Sequence, residues 1–534
     1  MQSSFTELIA DEAYYWVYSK FPAWGYFDHP PMIAVLIKAG YLIFQNELGV
    51  RLICALMSTM SIMIIESLIE KKNPFVFYTI VLSVGFLQIA GFMAVPDTPL
   101  LFFTAVFFYC YRQFLKDASW RNVFFLSCSI ALLFYTKYHG LLIVVFAFLS
   151  NIRLFTRIKT WVAVLLVILL YTPHLLWQWQ HDWMSFRYHL FESNVSAYKF
   201  SNTVDYMLGQ FLMAGPIAGL ILIPASILYK SKNGLEKALK FTLYGIYIIF
   251  FVSSFRGKVE PNWTMPVLVP LIILSHQFIL ERISWFRVLR FAAVISLFLI
   301  MAGRIYMVID LGPDNGVKKR FHNNRSWAET IKSKTKNTPV VFNNSYQRSS
   351  LFWFYSGVPS HSQNWYGERR NNYNFWPTES NLLGKEIFIA DLYNISTFSD
   401  SVFTKKGWVG LSRDSVYSGL GGIQIITDEK KLLFEDTNLA DLHCTIVVPE
   451  VYSEFLLEKP VDKAELFVGI FKGKEMIKEV NTGIVLQTIL DKKKFLIGLN
   501  PSDLPWGKFD LRIGIKVKDY VITHNSSKIE LTRL

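Results

Sequence analysis

The chain has 534 residues, of which 52% are hydrophobic and 16% aromatic while only 18% carry a charge. That is more apolar than a soluble domain tolerates, so a membrane protein is the reading to test first. The formal net charge of +13 does not by itself point to nucleic acid, because membrane proteins concentrate Lys and Arg in their cytoplasmic loops.

The chain begins MQSSFTELIADEAYYW, with no basic segment ahead of an apolar one, so no signal peptide is visible. Residues 1–47 form a first segment rich in aromatic side chains, with Trp16, Trp24, Tyr26 and Phe27 suited to a membrane interface. Apolar stretches then follow at about 48–69, 75–94, 99–111, 122–136, 140–152, 161–179, 206–229, 241–255, 264–280 and 291–309, judged against the roughly 20 residues a spanning helix needs. The expectation is a multi-span helical domain over 1–310 with about ten visible spans, the stretch 140–152 being short enough for a broken or re-entrant helix. Cys54, Cys110 and Cys128 lie in apolar runs and Cys444 stands alone, which indicates neither a disulfide framework nor a zinc site.

Beyond the last apolar run the pattern changes. PVVFNNSYQRSSLFWFYSG and EIFIADLYN read as strand candidates, the first with an amphipathic run behind it, and predict a small α/β domain over 311–435. From 436 to 534, CTIVVPEVY, AELFVGIFKG, GIVLQTIL, KKFLIGLN, KFDLRIGIKV and YVITHNSSKIEL are short alternating runs separated by turn residues, the pattern of a β-sandwich.

Loop charges orient the spans. One alternate set of loops holds Lys71, Lys72, Arg112, Lys116, Arg121, Arg153, Arg157, Lys159, Lys230, Lys232, Lys237, Lys240, Arg282, Arg287 and Arg290. The opposite set holds only Lys137, Arg187, Lys199, Arg256 and Lys258, balanced by Asp97, Asp182, Glu192, Asp205 and Glu260. The positive-inside rule makes the first set cytoplasmic. Residues 1–47, the loops around Asp97, Lys137, Asp182 and Arg256, and everything after about 310 are then expected on the outer side. An even number of spans with an outer amino terminus leads to the further expectation of one helix encoded upstream of Met1.

The candidate chemistry falls on that outer side. Asp11 and Glu12 precede the aromatic cluster, Asp28 and His29 lie in FDHPP, and Asp97 opens a helix in VPDTPL. Acidic residues also favour the first turn of any helix, so recurrence on one face is what raises the reading of a site. Lys137 and His139 in TKYHG, and Arg256 and Lys258 in RGKVEPNW, offer positive charge that suits a phosphate, although cations at span ends also snorkel to the interface. Asp28, Tyr138, Glu260, Asn262 and Trp263 are candidates for substrate contacts, with an interfacial helix start as the competing account of the last two.

DEAYYW, WGYFDHPPM, PDTPL, TKYHGLL, RGKVEPNW, YQRSSLFWFY and ERRNNYNFW together resemble the bacterial branch of the glycosyltransferase family 39 superfamily of protein O-mannosyltransferases and aminoarabinose transferases, over most of residues 10–376. The resemblance implies a first outer loop whose acidic pair supplies a general base, which matches Asp11 with Glu12 beside it, and a second loop acid, which matches Asp97. Aminoarabinose transferases carry Glu-Lys-Pro near the carrier phosphate where this chain has Asp28, His29 and Pro30, so a histidine stands in for the lysine. A membrane helix ahead of the acidic pair is also implied.

The implied function is inverting transfer of a sugar from a polyprenyl-phosphate carrier to a lipid, glycan or protein of the envelope, at the outer face of a bacterial inner membrane. Asp97 joins Asp11 and Glu12 as a catalytic candidate, and His29, Lys137, His139, Arg256 and Lys258 as phosphate contacts. No metal-ligand spacing is recognisable among the acids, while related enzymes leave a divalent metal open. Membrane lipids, the lipid-linked donor and the acceptor are the expected partners, and nucleic acid is not. A transporter or flippase of lipid-linked sugars is the alternative, but it should place charge at mid-membrane depth, and only Arg51, Glu66 and Arg304 lie within spans, all near ends. A membrane-anchored binding protein ranks last, since ten spans exceed what an anchor requires.

Overall fold

The computed structural model describes residues 2–192, 198–311, 316–434, 440–459, 461, 463–500 and 504–533. It divides into two compact units, residues 1–322 and 323–534.

The first unit is helical. Several of its helices start on asparagines whose side chains accept a backbone N–H of the first turn: Asn46 from Gly49, Asn73 from Val76 and Asn233 from Glu236. Among the described residues four helices are long and apolar enough to cross a membrane, namely Glu47–Leu68, Ile158–Gln180, Pro261–Glu281 and Ser284–Val308. A fifth arises if Phe200–Ala214 and Gly219–Leu228 count as one span bent by 93°. At that bend Gly215 has φ +136°, a conformation that side-chained residues rarely adopt.

A count of about ten spans is therefore not confirmed, and the reasons are local. The stretch 75–94 breaks into Pro74–Ser83 and Gly85–Ile89, and 140–152 yields only Gly140–Leu149. Asp97–Lys116 has 20 residues, but Asp97, Arg112, Gln113 and Lys116 dilute its apolarity. Phe291, Val294 and Phe298 on Ser284–Val308 are exposed, as side chains facing lipid would be.

The segment 1–47 carries the one-turn helix Gln2–Phe5 and two longer helices, Ala10–Lys20 and Met32–Tyr41. The loop between them packs against the end of Ile158–Gln180 so closely that a Cβ on Gly25 would lie 2.3 Å from the Trp177 ring.

Among the described residues the second unit contains three sheets. Strands β1 (Val340–Asn343), β2 (Ser360–Gln363), β3 (Ile387–Asp391), β4 (Asp400–Thr404) and β5 (Gly407–Asp414) form one in the order β2-β1-β3-β5-β4. Its first three strands are parallel, with helix Tyr346–Ser356 crossing from β1 to β2. Strands β6 (Gln424–Thr427), β7 (Lys431–Phe434), β8 (Ala440–Val447), β9 (Ala464–Lys472), β10 (Glu475–Val485), β11 (Lys494–Leu499), β12 (Gly507–Val517) and β13 (Ile529–Arg533) form the other two, ordered β10-β9-β12-β13-β7 and β11-β8-β6. Period-two burial of Phe509, Leu511, Ile513, Ile515 and Val517 on β12 feeds one apolar core shared with Leu442, Cys444, Ile497 and Leu499 of the facing strands. Val341 and Ile387 of the parallel sheet join that same core. The expected border between 435 and 436 falls outside the described residues.

Two strand expectations are corrected. GIVLQTIL ends β10 and then turns into helix Gln487–Leu490. In YVITHNSSKIEL only the end, from Ile529, is strand; further back the carbonyls of Ile515 and Ile513 still accept backbone N–H groups, but their own N–H groups donate to the side chains of Asn525 and Ser526.

Candidate active site

Asp11 and Glu12 are adjacent in the first turn of Ala10–Lys20, and the fold gives them different surroundings. Glu12 is fully buried and forms a two-pronged pair with Arg51, whose Nε reaches Oε1 at 2.7 Å and whose Nη2 reaches Oε2 at 2.5 Å. The backbone N–H of Ala94 donates to Oε1 at 2.9 Å and that of Ile9 to Oε2 at 3.2 Å. The guanidinium is satisfied in turn by the carbonyls of Ser3, Thr6 and Glu7. With every oxygen occupied, Glu12 ties three segments together and is poorly placed to accept a proton. Asp11 is only half-buried.

Asp97, at the start of Asp97–Lys116, is buried and accepts from Lys137 Nζ at 2.8 Å and from Asn262 Nδ2 at 2.9 Å. Three residues distant in sequence thus converge: the Lys comes from the turn between Trp120–Thr136 and Gly140–Leu149, the Asn from the short helix Pro261–Val267. Such a pair fixes a buried ammonium in place, because burying either charge alone would be costly.

Beside Lys137, the His139 ring meets Phe250 (centroids 5.1 Å apart) and Trp263 (5.8 Å). Burial first, and then the charges of Lys137, His189 and His29, hold its pKa well below the ordinary histidine value. A neutral imidazole there serves as a hydrogen-bonding group more readily than as a cation. Its Nδ1 is buried with no partner among the described residues. Burial likewise raises the Tyr138 pKa, so its hydroxyl stays protonated.

Asp28 is buried and accepts from the hydroxyls of Tyr14 (3.1 Å) and Tyr18 (3.3 Å), while its carbonyl lies 2.8 Å from His189 Nε2. His29 packs edge-on to Tyr15 at 5.5 Å and lies 6.3 Å from the His189 ring, which in turn stands 5.3 Å from Tyr138. These contacts link the first loop to the Lys137 turn. The other candidates stand apart. Lys258 and Glu260 form an exposed pair at 2.8 Å, a contact of small energetic weight, and Arg256 is exposed with no side-chain contact tying it to Asp97 or Lys137 among the described residues.

Sequence reasoning missed Arg51 as the partner of Glu12, and also His189, His174 and Gln178. His174 Nδ1 lies 2.7 Å from the Trp24 carbonyl, and Gln178 donates to Tyr138 Oη at 2.9 Å and to Ser185 Oγ at 2.8 Å. The signal for the last two was present: a His and a Gln four residues apart on one face of an apolar helix. Among the described residues no group of three or more His, Cys, Asp or Glu side chains is arranged to hold a metal ion.

Comparison with known proteins bears on this same region. Residues 28–177 match the family model described as dolichyl-phosphate-mannose-protein mannosyltransferase, so the resemblance read from the motifs stands. The chain is also 24% identical over 319 residues to the lipid A galacturonosyltransferase RgtD of Rhizobium johnstonii, an alignment covering 54% of this chain and 64% of that protein.

Proposed function

We propose that this chain is a membrane-embedded glycosyltransferase that moves a sugar, with inversion, from a polyprenyl-phosphate carrier to an acceptor in the cell envelope. The observation that carries the reading is the buried Asp97–Lys137–Asn262 cluster inside the stretch where the family match lies or beside it. In the proposed reaction the acceptor oxygen attacks the anomeric carbon, its proton passes to Asp11, and the bond to the carrier phosphate breaks. The leaving group is already a phosphate, so it needs fixed positive charge rather than a proton. Lys137 supplies that charge, with Asp97 and Asn262 setting its position and Trp263 and the neutral His139 beside it. Tyr138, His29 and Asp28 line the proposed donor site on the side of the first loop.

The name of the relative makes a lipid one acceptor to test, beside a glycan or a protein. The site is assigned to the outer face of the inner membrane on the loop charges alone.

Turnover and donor binding of purified variants in lipid nanodiscs test the proposal. Asp11→Asn is expected to bind the polyprenyl-phosphate sugar normally and to lose on the order of 100-fold or more in transfer. Lys137→Ala is expected to weaken both donor binding and transfer. Near-normal turnover by Asp11→Asn would sink the general-base assignment.

A further inference from the structure

The second unit contains a feature that the proposed reaction does not use. In the order β2-β1-β3, the chain leaves β1 through Tyr346–Ser356 toward β2, while beyond β3 it turns to β4 and β5 on the opposite side. The connections after β1 and β3 therefore diverge, and the carboxyl ends of these two strands bound a crevice of the kind in which open parallel sheets bind ligands.

Asn343 at the end of β1 donates to Asp391 at the end of β3 (3.2 Å), and the other Asp391 oxygen accepts two backbone N–H groups of the turn that follows. The Asp391 charge is thus already engaged, whereas Asn343 Oδ1 is buried with no donor among the described residues. Arg348, in the first turn of the helix after β1, lies over the ring of the fully buried Trp327 at 5.2 Å. No carboxylate or carbonyl accepts from its guanidinium among the described residues, and Tyr393 stands in the turn after the neighbouring strand β3, its backbone N–H donating to Asp391 at 2.7 Å. Tyr393 is 82% exposed. A second guanidinium, that of Arg369, reaches the same helix start, donating to Tyr346 Oη at 3.0 Å.

We infer that the crevice between the ends of β1 and β3 binds an anionic saccharide, its carboxylate or phosphate on Arg348 and its ring against Tyr393. The Arg348 guanidinium is half-buried with no carboxylate or carbonyl acceptor among the described residues, and Arg presents a planar fork that matches either oxyanion. The exposed Tyr393, on the turn after β3, offers a flat face to a sugar ring. The inference does not depend on the reaction assigned to the membrane region.

Isothermal titration of the full chain in nanodiscs tests it, with glucuronate, glucose 1-phosphate, glucose and inorganic phosphate as probes. At least one anionic sugar is expected to bind at least about 10-fold more tightly than glucose, the difference expected for a charge-assisted contact. Which of the two binds tells carboxylate from phosphate. Arg348→Gln is expected to weaken that binding on the order of 10-fold or more, and Tyr393→Ala, at an exposed position where folding is not at stake, to weaken it several-fold. Lys137→Ala should leave it unchanged, which separates this crevice from the proposed donor site. Absence of binding by both anionic sugars, equal binding of inorganic phosphate, or unaltered affinity in both crevice variants would overturn the inference.

Discussion

The two members of the acidic pair should respond to amide substitution in opposite ways. Glu12→Gln retains shape but puts an NH2 group where either Oε1 now accepts from Arg51 and Ala94 or Oε2 accepts from Arg51 and Ile9. In either orientation two donors face a donor, and Arg51, 0% exposed, keeps a charge without its counter-ion. Removing one partner of a buried pair costs about 3–5 kcal/mol, a large share of the 5–15 kcal/mol typical of total stability. Thermal unfolding in detergent, followed by intrinsic fluorescence, should show a markedly lower midpoint for Glu12→Gln and almost none of that drop for Asp11→Asn. A double variant, Glu12→Gln with Arg51→Met, should lose less than the two single changes added together, since the orphaned charge is gone. An unshifted midpoint in Glu12→Gln, or strict additivity in the double variant, would refute the structural role of the pair.

Asp97→Asn leaves Lys137 buried beside an amide, so stability should fall by about 3 kcal/mol; adding Lys137→Met should restore the unfolding midpoint but not transfer. Cysteines placed near Lys72 and Lys232 should be labelled by an impermeant reagent only from the cytoplasmic side, and a reporter after Leu534 should be exported; the reverse pattern would remove the proposed site from the outer face. Acid should destabilise the second unit. His361 is held by burial at about 3 and His524 is lowered by burial and by Arg370 and Arg512, so the unfolded chain takes up protons near pH 6.5 that the folded one refuses. The His361 contribution is complete above pH 6.5 and falls as pH drops toward 3, at about 1.4 kcal/mol per unit, and the His524 contribution falls in the same direction below pH 6.5. Glu379, raised by burial, works the other way by gaining stability on protonation, so two histidines oppose one carboxyl. The unfolding midpoint should decrease between pH 6.5 and 4.5, less steeply in His361→Gln; a midpoint that rises on acidification would contradict this balance.

How much was legible depended on the range of the signal. Period-two runs such as KFDLRIGIKV announced β12, because alternation is a property of neighbouring residues. The run at 140–152 was legible as too short for a full span, but the run at 75–94 was legible as apolar and not as broken, since its break sits at a tertiary contact: a Cβ on Gly85 would lie 2.4 Å from the Leu212 carbonyl oxygen, far away in sequence. Likewise, Asn525 and Ser526 look like turn residues, but that their side chains accept N–H groups of β12 could be known only once β12 lay beside them. The parallel order β2-β1-β3 was not read from the sequence at all, because β2, SHSQ, is a buried polar strand with no apolar alternation to announce it.

For the candidate site, residue type was legible and pairing was not. Asp97, Lys137 and Asn262 were each marked by position at an outer span end, yet Asp97 and Asn262 are 165 residues apart and nothing local couples them. Glu12 and Asp11 were indistinguishable in ADEAYYW, being neighbours with the same charge. What separates them is Arg51, 39 residues from Glu12 and set two helices further on at the start of Glu47–Leu68. A helix advances about 100° per residue, so adjacent side chains must face different surroundings. One of two neighbouring acids can therefore be turned into the protein to brace Ala94, three residues ahead of Asp97, while the other faces away from that brace. That geometry, together with Arg51, gives Glu12 the work of holding the frame; Asp11 taking the proton is the proposed part, and the contrast between the two amide variants is the sharpest test of where the chemistry lies.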